Sequence, residues 1–418
     1  MRKILWVMSR PLSGSFGFQT NNFSGSWLDA AFASCSVYEN LELHIVSVGN
    51  VPKMAVECRG RHVLYLLPGG GKKYDERDVT NIQSWLEFKK IINPDLIQIW
   101  GTECDFAKIA LKTFPDVPSI IYIQGVMDAV ARGYDAGLSF KTKLKILTPF
   151  DVIHRNWINA SQNKYYQRAN REREILNMAT AAIVENDWCE DQIHKIAPQC
   201  ICYRSNLPIK DVFWNTKWDF EQIEPYSIFT NAGSMPLKGH HYLFKALGIV
   251  KNSYPDFKLY IPGIPLKIEA IGRNFHTPGY SFLLAKLIKK YSLENNIHYV
   301  GLLSDFQMAN YLSKVNLFVM PSCVENHSSS LIEALLVGTP CVTTFVGGTG
   351  NVVKDGVNAI LYNSHDYASL GGSICRVFES KELAKRLSYG ANEYRMKRKH
   401  NVGDDMKNIY DLLLQNKP

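Results

Sequence analysis

The sequence predicts an α/β chain folded as two successive doubly wound domains, each a parallel sheet covered by helices. Three observations carry that prediction. At roughly 150 residues per domain, 418 residues are too many for one. A content of 46% hydrophobic, 12% aromatic and 21% charged residues is that of a globular chain with apolar material for two cores, which excludes a disordered, collagenous or low-complexity protein. Finally, short continuous apolar runs rich in Val, Ile and Tyr alternate with longer helical patterns, as expected of strands buried on both faces and joined by helices.

Taken in order, the first set of runs is 4–8, 43–48, 62–67, 96–100, 119–123, 181–184 and 201–203, and the second is 226–230, 258–261, 297–300, 317–320, 340–344 and 359–362. Between them, residues 205–225 (SNLPIKDVFWNTKWDFEQIEP) hold two prolines and no sustained periodicity, so the linker falls there. The expected organisation is a first domain over 1–207, a second over 208–388, and a helical stretch over 389–418 that can pack back on the first domain.

No run of about 18 uncharged apolar residues is present, and the opening MRKILWVMSRPLSGS is apolar for only five residues before Ser9 and Arg10. The expectation is a soluble, cytoplasmic, non-exported chain. Nine cysteines without CxxC spacing fit a reducing compartment. Cys200 and Cys202 fall two apart in a predicted strand and so share one face, as small buried apolar groups without a metal-ligand partner motif.

The net charge of +8 is uneven: residues 137–176 hold eight cations against three anions, and Arg395, Lys397, Arg398 and Lys399 form a second cluster. Neither has the register of a nucleic-acid motif, so no nucleic-acid partner is expected. The stretch GLSFKTKLKILTPF from Gly137 interleaves Leu138, Phe140, Leu144, Ile146, Leu147 and Phe150 with three lysines. It reads either as a basic amphipathic surface for the inner face of an anionic membrane or as the solvated face of an ordinary helix.

Ligands of open parallel sheets bind beyond the carboxyl ends of strands, where helix N-termini favour anions. After the run 317–320 comes CVENHSSSLIEALLVGTP, in which Glu325 and Glu333 flank Asn326, His327, Ser328, Ser329, Ser330 and Leu331 at the start of a helix. The backbone N–H groups of Ser328, Ser329, Ser330 and Leu331 would suit a diphosphate there. Alternatively, Ser330 and Glu333 form a capping box and Glu333 only turns back to the helix start. A second loop, NAGSMPLKGH after 226–230, offers Gly233 for close backbone approach, Ser234, and Lys238 as a phosphate cation. PGGGKK at 68–73 lacks P-loop spacing, and His240, His241 and His327 lack metal-ligand partners.

With these residues in view, the second half resembles the family 4 (group 1) retaining glycosyltransferases of the GT-B fold. The E-x7-E motif is Glu325 to Glu333, the G-x4-K-G segment is Gly233, Lys238 and Gly239, and GGTGNVVKDGVNAILY from Gly347 is similar to the family's Gly-Gly turn and V-x-D-G-x-N segment. The resemblance implies two Rossmann-like domains facing across a cleft and a UDP- or GDP-sugar donor used as co-substrate. It also implies a saccharide or lipid-linked saccharide acceptor and a role in bacterial polysaccharide assembly. No cofactor and no metal are implied, and the absence of a D-x-D sequence argues against a metal-dependent GT-A enzyme.

By the same resemblance, Lys238 would neutralise the departing diphosphate, Glu333 would bind the ribose, and Glu325 would contact the transferred sugar. Gly14 lies in a loop over 9–27 that would close over the donor, Gln124 and Gly125 stand where the family often has His-Gly, and Gly263 and Leu302 mark the loops near the base. Ser234 occupies a place usually held by Arg, for which Arg10 or Lys267 would substitute, and Asn351 stands where Glu is common. The resemblance in fold keeps open a nucleotide-sugar epimerase or hydrolase, and Ser234 and Gln124 keep open a catalytically silent partner subunit.

Overall fold

A computed structural model describes residues 1–17, 26–69, 78–103, 106–231, 233–266, 275–398 and 400–415. Gly25, residues 70–73, Cys104, Lys267 and Lys399 lie outside the described residues.

The first sheet is built from β1 (Arg2–Val7), β2 (Leu41–Gly49), β3 (Ala55–Arg59), β4 (His62–Pro68), β5 (Leu96–Trp100), β6 (Ser119–Tyr122), β7 (Ala181–Val184) and β8 (Ile201–Arg204). Their spatial order is β3-β4-β2-β1-β5-β6-β7-β8, parallel throughout except for the antiparallel β3–β4 pair. Every residue of β5, β6 and β7 is buried, which is why these runs are continuously apolar. β3 was not expected: its sequence AVECR alternates in burial as an edge hairpin strand does and never forms an apolar run.

The second sheet comprises β9 (Glu224–Thr230), β10 (Lys258–Ile261), β11 (Ile297–Tyr299), β12 (Val315–Met320), β13 (Cys341–Thr344) and β14 (Ile360–Tyr362), in the order β11-β10-β9-β12-β13-β14. The strand order reverses between β1 and β5 in one sheet and between β9 and β12 in the other. Those are the topological switch points at which open α/β sheets form ligand crevices.

The linker region is packed down rather than loose. Phe213 is buried in a helix over Asp211–Asn215, and the Trp218 indole N–H donates to the Val315 carbonyl at 2.7 Å. The C-terminal helical stretch is two helices, not one. Lys381–Lys397 lies along the second sheet's helix Ser329–Val337, and Gly403–Gln415 lies along the first domain's helix Ser26–Ser36. The Trp6 indole N–H donates to the Tyr410 hydroxyl at 3.0 Å, and Arg2 pairs with Asp411.

Three further bonds tie the halves together. The Thr148 hydroxyl donates to the Thr277 carbonyl at 2.7 Å, the Gly279 amide donates to Asp151 at 3.0 Å, and the Tyr242 hydroxyl donates to the Ala136 carbonyl at 2.8 Å.

Candidate active site

Between the carboxyl edges of the two sheets lies a cavity of about 450 Å³ whose lining includes Glu103, Gln124, Gly125, Lys238, Glu325 and Asn326. Lys238 ends a 3₁₀ turn, Pro236–Lys238, and Gly239 at φ 73° starts the helix His240–Ser253. The Lys238 ammonium meets the Glu325 carboxylate, Nζ to Oε1, at 2.6 Å, with the two side chains 25% and 11% exposed. A half-buried pair of this kind holds both groups in place while leaving each able to take a charged or hydroxylated ligand. The path of the Glu325 backbone depends on Gly347, at φ 53°, because a Cβ there would lie 1.7 Å from the Glu325 carbonyl oxygen.

Asn326 stitches the two walls. Its side-chain amide donates to the Ile123 and Gln124 carbonyls at 3.1 and 3.2 Å, and its own carbonyl accepts from the Asn186 side chain at 3.0 Å. The cavity is therefore closed on one side by a polar clamp rather than by apolar contact alone.

On the opposite wall stands Glu103, with Glu172 buried behind it, two acids that sequence reasoning missed. Burial pushes the Glu103 carboxyl up to about 7 and the Glu172 carboxyl up to about 8. Glu172 accepts the Thr102 hydroxyl at 2.7 Å and the Met127 amide at 2.9 Å. Glu172 sits in the basic helix Ile158–Met178, where it looked like an ordinary surface charge; no local signal marks it as buried.

Several expected site residues are placed differently. His327 does not face the cavity: its imidazole, 3% exposed, pairs with Glu185 at the end of β7, so it serves the contact between the domains. The capping-box reading of Ser330 and Glu333 is not what forms. Ser328 is the N-cap, its hydroxyl accepting the Leu331 amide at 3.4 Å, so that N–H is already used. Ser329 opens the helix and the Ser330 hydroxyl bonds that of Ser328 at 3.1 Å.

Glu333 is enclosed, its carboxyl pushed up to about 8 by burial and by Asp305, while Lys210 pulls the other way. Lys210 and Asp305 line a neighbouring cavity of about 720 Å³ with Asp29 and Phe306. Gly233 admits the His240 ring, which lies 2.3 Å from where a Cβ would stand. Ser234 faces a separate small cavity of about 60 Å³ with Tyr134 and Tyr280.

Gly14, at φ 76°, sits against Arg59, and the Gln124 amide donates to the Trp100 carbonyl at 2.9 Å. Gly263 donates its amide to the Gly301 carbonyl at 2.7 Å beside Leu302, which is 50% exposed. Arg10 bonds Asp29 at 3.1 Å, and Asn351 reaches across to Asp187 at 3.0 Å.

Two doubly wound sheets facing across a cleft, with the charged groups on loops at the switch points, define the GT-B fold. Comparison with solved structures bears this out. Sucrose-phosphate synthase from Thermosynechococcus elongatus superposes with a TM-score of 0.73 at 15% identity, over 99% of this chain and 100% of that one. HepE of Anabaena, solved in complex with UDP-glucose, superposes with a TM-score of 0.66 at 14% identity, over 99% of this chain and 100% of that one.

In sequence, residues 213–394 match the family model of glycosyl transferases group 1. An uncharacterized glycosyltransferase of Methanocaldococcus jannaschii is 29% identical over 141 residues, 32% of this chain and 40% of that protein. Mannosylfructose-phosphate synthase of Agrobacterium fabrum is 26% identical over 161 residues, 38% of this chain and 34% of that protein. The chain thus aligns with less than half the length of these relatives.

Proposed function

We propose that the protein is a retaining, metal-independent glycosyltransferase of family 4 that moves a sugar from a UDP- or GDP-sugar to a saccharide or lipid-linked saccharide. The observation that carries this reading is the Lys238–Glu325 pair at 2.6 Å in a cleft between two sheets, within the segment that matches the glycosyltransferase model. On donor binding, Lys238 would turn from Glu325 to the diphosphate and offset the charge that develops as the nucleotide departs. Glu325, released, would accept hydroxyls of the transferred sugar and stabilise its oxocarbenium-like centre. Glu333 would take the ribose hydroxyls, and Gly263 and Leu302 would border the base. The acceptor would attack on the face the nucleotide leaves, so no protein nucleophile is assigned.

The acceptor side extends to the surface. Phe140, Leu144, Val152, Ile153 and Trp157 are 68%, 52%, 55%, 60% and 38% exposed beside Lys141, Lys145 and Arg155, whereas Leu138 and Ile146 are buried. No described helix is long and apolar enough to cross a membrane. This apolar and basic patch suits docking on an anionic bilayer at the cytoplasmic face, where a lipid-linked acceptor in bacterial polysaccharide assembly would be found.

Thermal stabilisation by UDP, GDP and their sugar conjugates tests the donor. A ligand at about 100 times its dissociation constant adds roughly 2.7 kcal/mol. Stabilisation by one base only, lost in Glu333→Ala, is expected. No stabilisation by any nucleotide makes the chain a silent partner subunit, and turnover of the donor to an isomer without acceptor makes it an epimerase.

A further inference from the structure

We propose that Glu103 takes a hydroxyl of the sugar acceptor and holds it toward Lys238 and Glu325, an assignment that rests on the glycosyltransferase reading above. Glu103 follows β5 at the switch point of the first sheet and lines the cavity on the wall facing that pair. Its carboxylate fills the space over Gly101: at φ 97°, a Cβ on Gly101 would lie 2.1 Å from Glu103 Oε2 and 2.7 Å from Gln124 Nε2. The neighbouring Thr102 is anchored through its hydroxyl to Glu172 at 2.7 Å, and Glu172 also holds the Met127 amide at 2.9 Å. The short loop that carries Glu103 is thus fixed from below by a wholly buried acid.

What this loop presents is a carboxyl with an unfilled bonding capacity. Among the described residues, its one hydrogen-bond donor is its own backbone amide. A partly buried carboxyl in a cavity wall with acceptor capacity to spare is open to a ligand that donates to it. Of the nearby cations, Lys238 is paired with Glu325, and Arg168, stacked over the Tyr165 ring at 4.9 Å, acts on Glu103 through its charge. Their charge disfavours an ammonium ligand in the same cavity. A hydroxyl fits: it donates to a carboxylate, and it both donates to and accepts from a protonated carboxyl. With the group pushed up to about 7 by burial, both forms are present near neutral pH.

The test uses the full chain with UDP-glucose and GDP-mannose as donors and glucose, N-acetylglucosamine and glycerol as acceptors. Acceptor KM, acceptor-free donor hydrolysis and nucleotide affinity are each measured. Glu103→Ala is expected to raise acceptor KM about 10-fold or more, the loss of one bond to a charged group, with hydrolysis and nucleotide affinity changed by less than about 2-fold. Glu103→Gln, of the same shape, should recover part of that KM and abolish its change between about pH 6 and 8. Unchanged KM in both variants, or hydrolysis falling as far as transfer, overturns the assignment. So does a wild-type chain that hydrolyses a donor but transfers to none of the three. A wild-type chain that binds no sugar nucleotide instead removes the underlying reading.

Discussion

The two walls of the cleft hold their acids by opposite means. On the C-terminal wall, Glu325 is paired with Lys238 at 2.6 Å, a partner that a diphosphate or a sugar hydroxyl can displace. On the N-terminal wall, Glu103 and the Glu172 buried behind it make no ion pair among the described residues, Arg168 acting on Glu103 only through its charge, and burial keeps their protons on toward neutral pH. One wall is organised by charge that exchanges partners, the other by desolvation that suppresses charge. Under the proposed function, the difference suits a donor side that must manage a departing anion and an acceptor side that must manage neutral hydroxyls.

Removing the exchangeable charge is the severest way to break that comparison. Lys238→Ala should lower donor turnover by about 10²–10³-fold, the usual cost of losing one preorganised charge-stabilising donor. Glu325→Ala should lower turnover far more than nucleotide affinity, read by steady-state rates beside calorimetric titration with the nucleotide. Because the two groups touch, the double variant should lose less than the sum of the singles. Simple additivity would mean that they act separately.

The clamp between the walls comes next. Asn326→Ala leaves the Ile123 and Gln124 carbonyls without their donor in a buried place, which should cost about 1–3 kcal/mol in denaturant unfolding. Activity should fall with it if wall spacing matters.

The N-terminal wall also sets a pH signature. Glu172 has its folded value at about 8 against an ordinary 4.5, so the folded state binds the extra proton between those limits. Its contribution to stability is present below about pH 4.5 and is lost as pH rises toward 8. Glu172→Gln should therefore flatten the fall in Tm over that interval; an unaltered slope would show that Glu172 titrates normally. The buried His240, pushed down to about 4, acts at the other end, losing stability as pH falls from 6.5.

The smallest effect on the fold is expected at the surface patch. Phe140→Asp with Leu144→Asp should change stability by within about 0.5 kcal/mol, since both side chains are exposed. Their association with vesicles rich in anionic lipid, read by sedimentation, should nonetheless disappear. Retained association would move the docking face elsewhere.

Much of this architecture was legible in the residues. Runs such as LIQIW and AAIV are continuously apolar because both faces of their strands are covered, so β5 and β7 appear at the residues expected. The half-exposed β3 was hidden because an alternating five-residue edge strand leaves no such run. The spacing of Glu325, Glu333 and Lys238 likewise marked the C-terminal loops, because these motif residues lie in the loop that follows a strand or in the helix that the loop opens. The N-terminal wall had no comparable mark: Glu103 and Glu172 are 69 positions apart and meet only when β5 and the helix Ile158–Met178 pack together.

The fates of His327 and Ser330 show the same division. Local sequence placed them at a helix start, but the position of β7 decided that His327 would face Glu185, and Ser328 took the cap that the alternative reading gave to Ser330. Periodicity and strand-end motifs are properties of neighbouring residues and survive in the sequence. Burial, the loss of a carboxyl's solvent and the choice of partner across a cleft depend on elements far apart in the chain, and only their packing settles them.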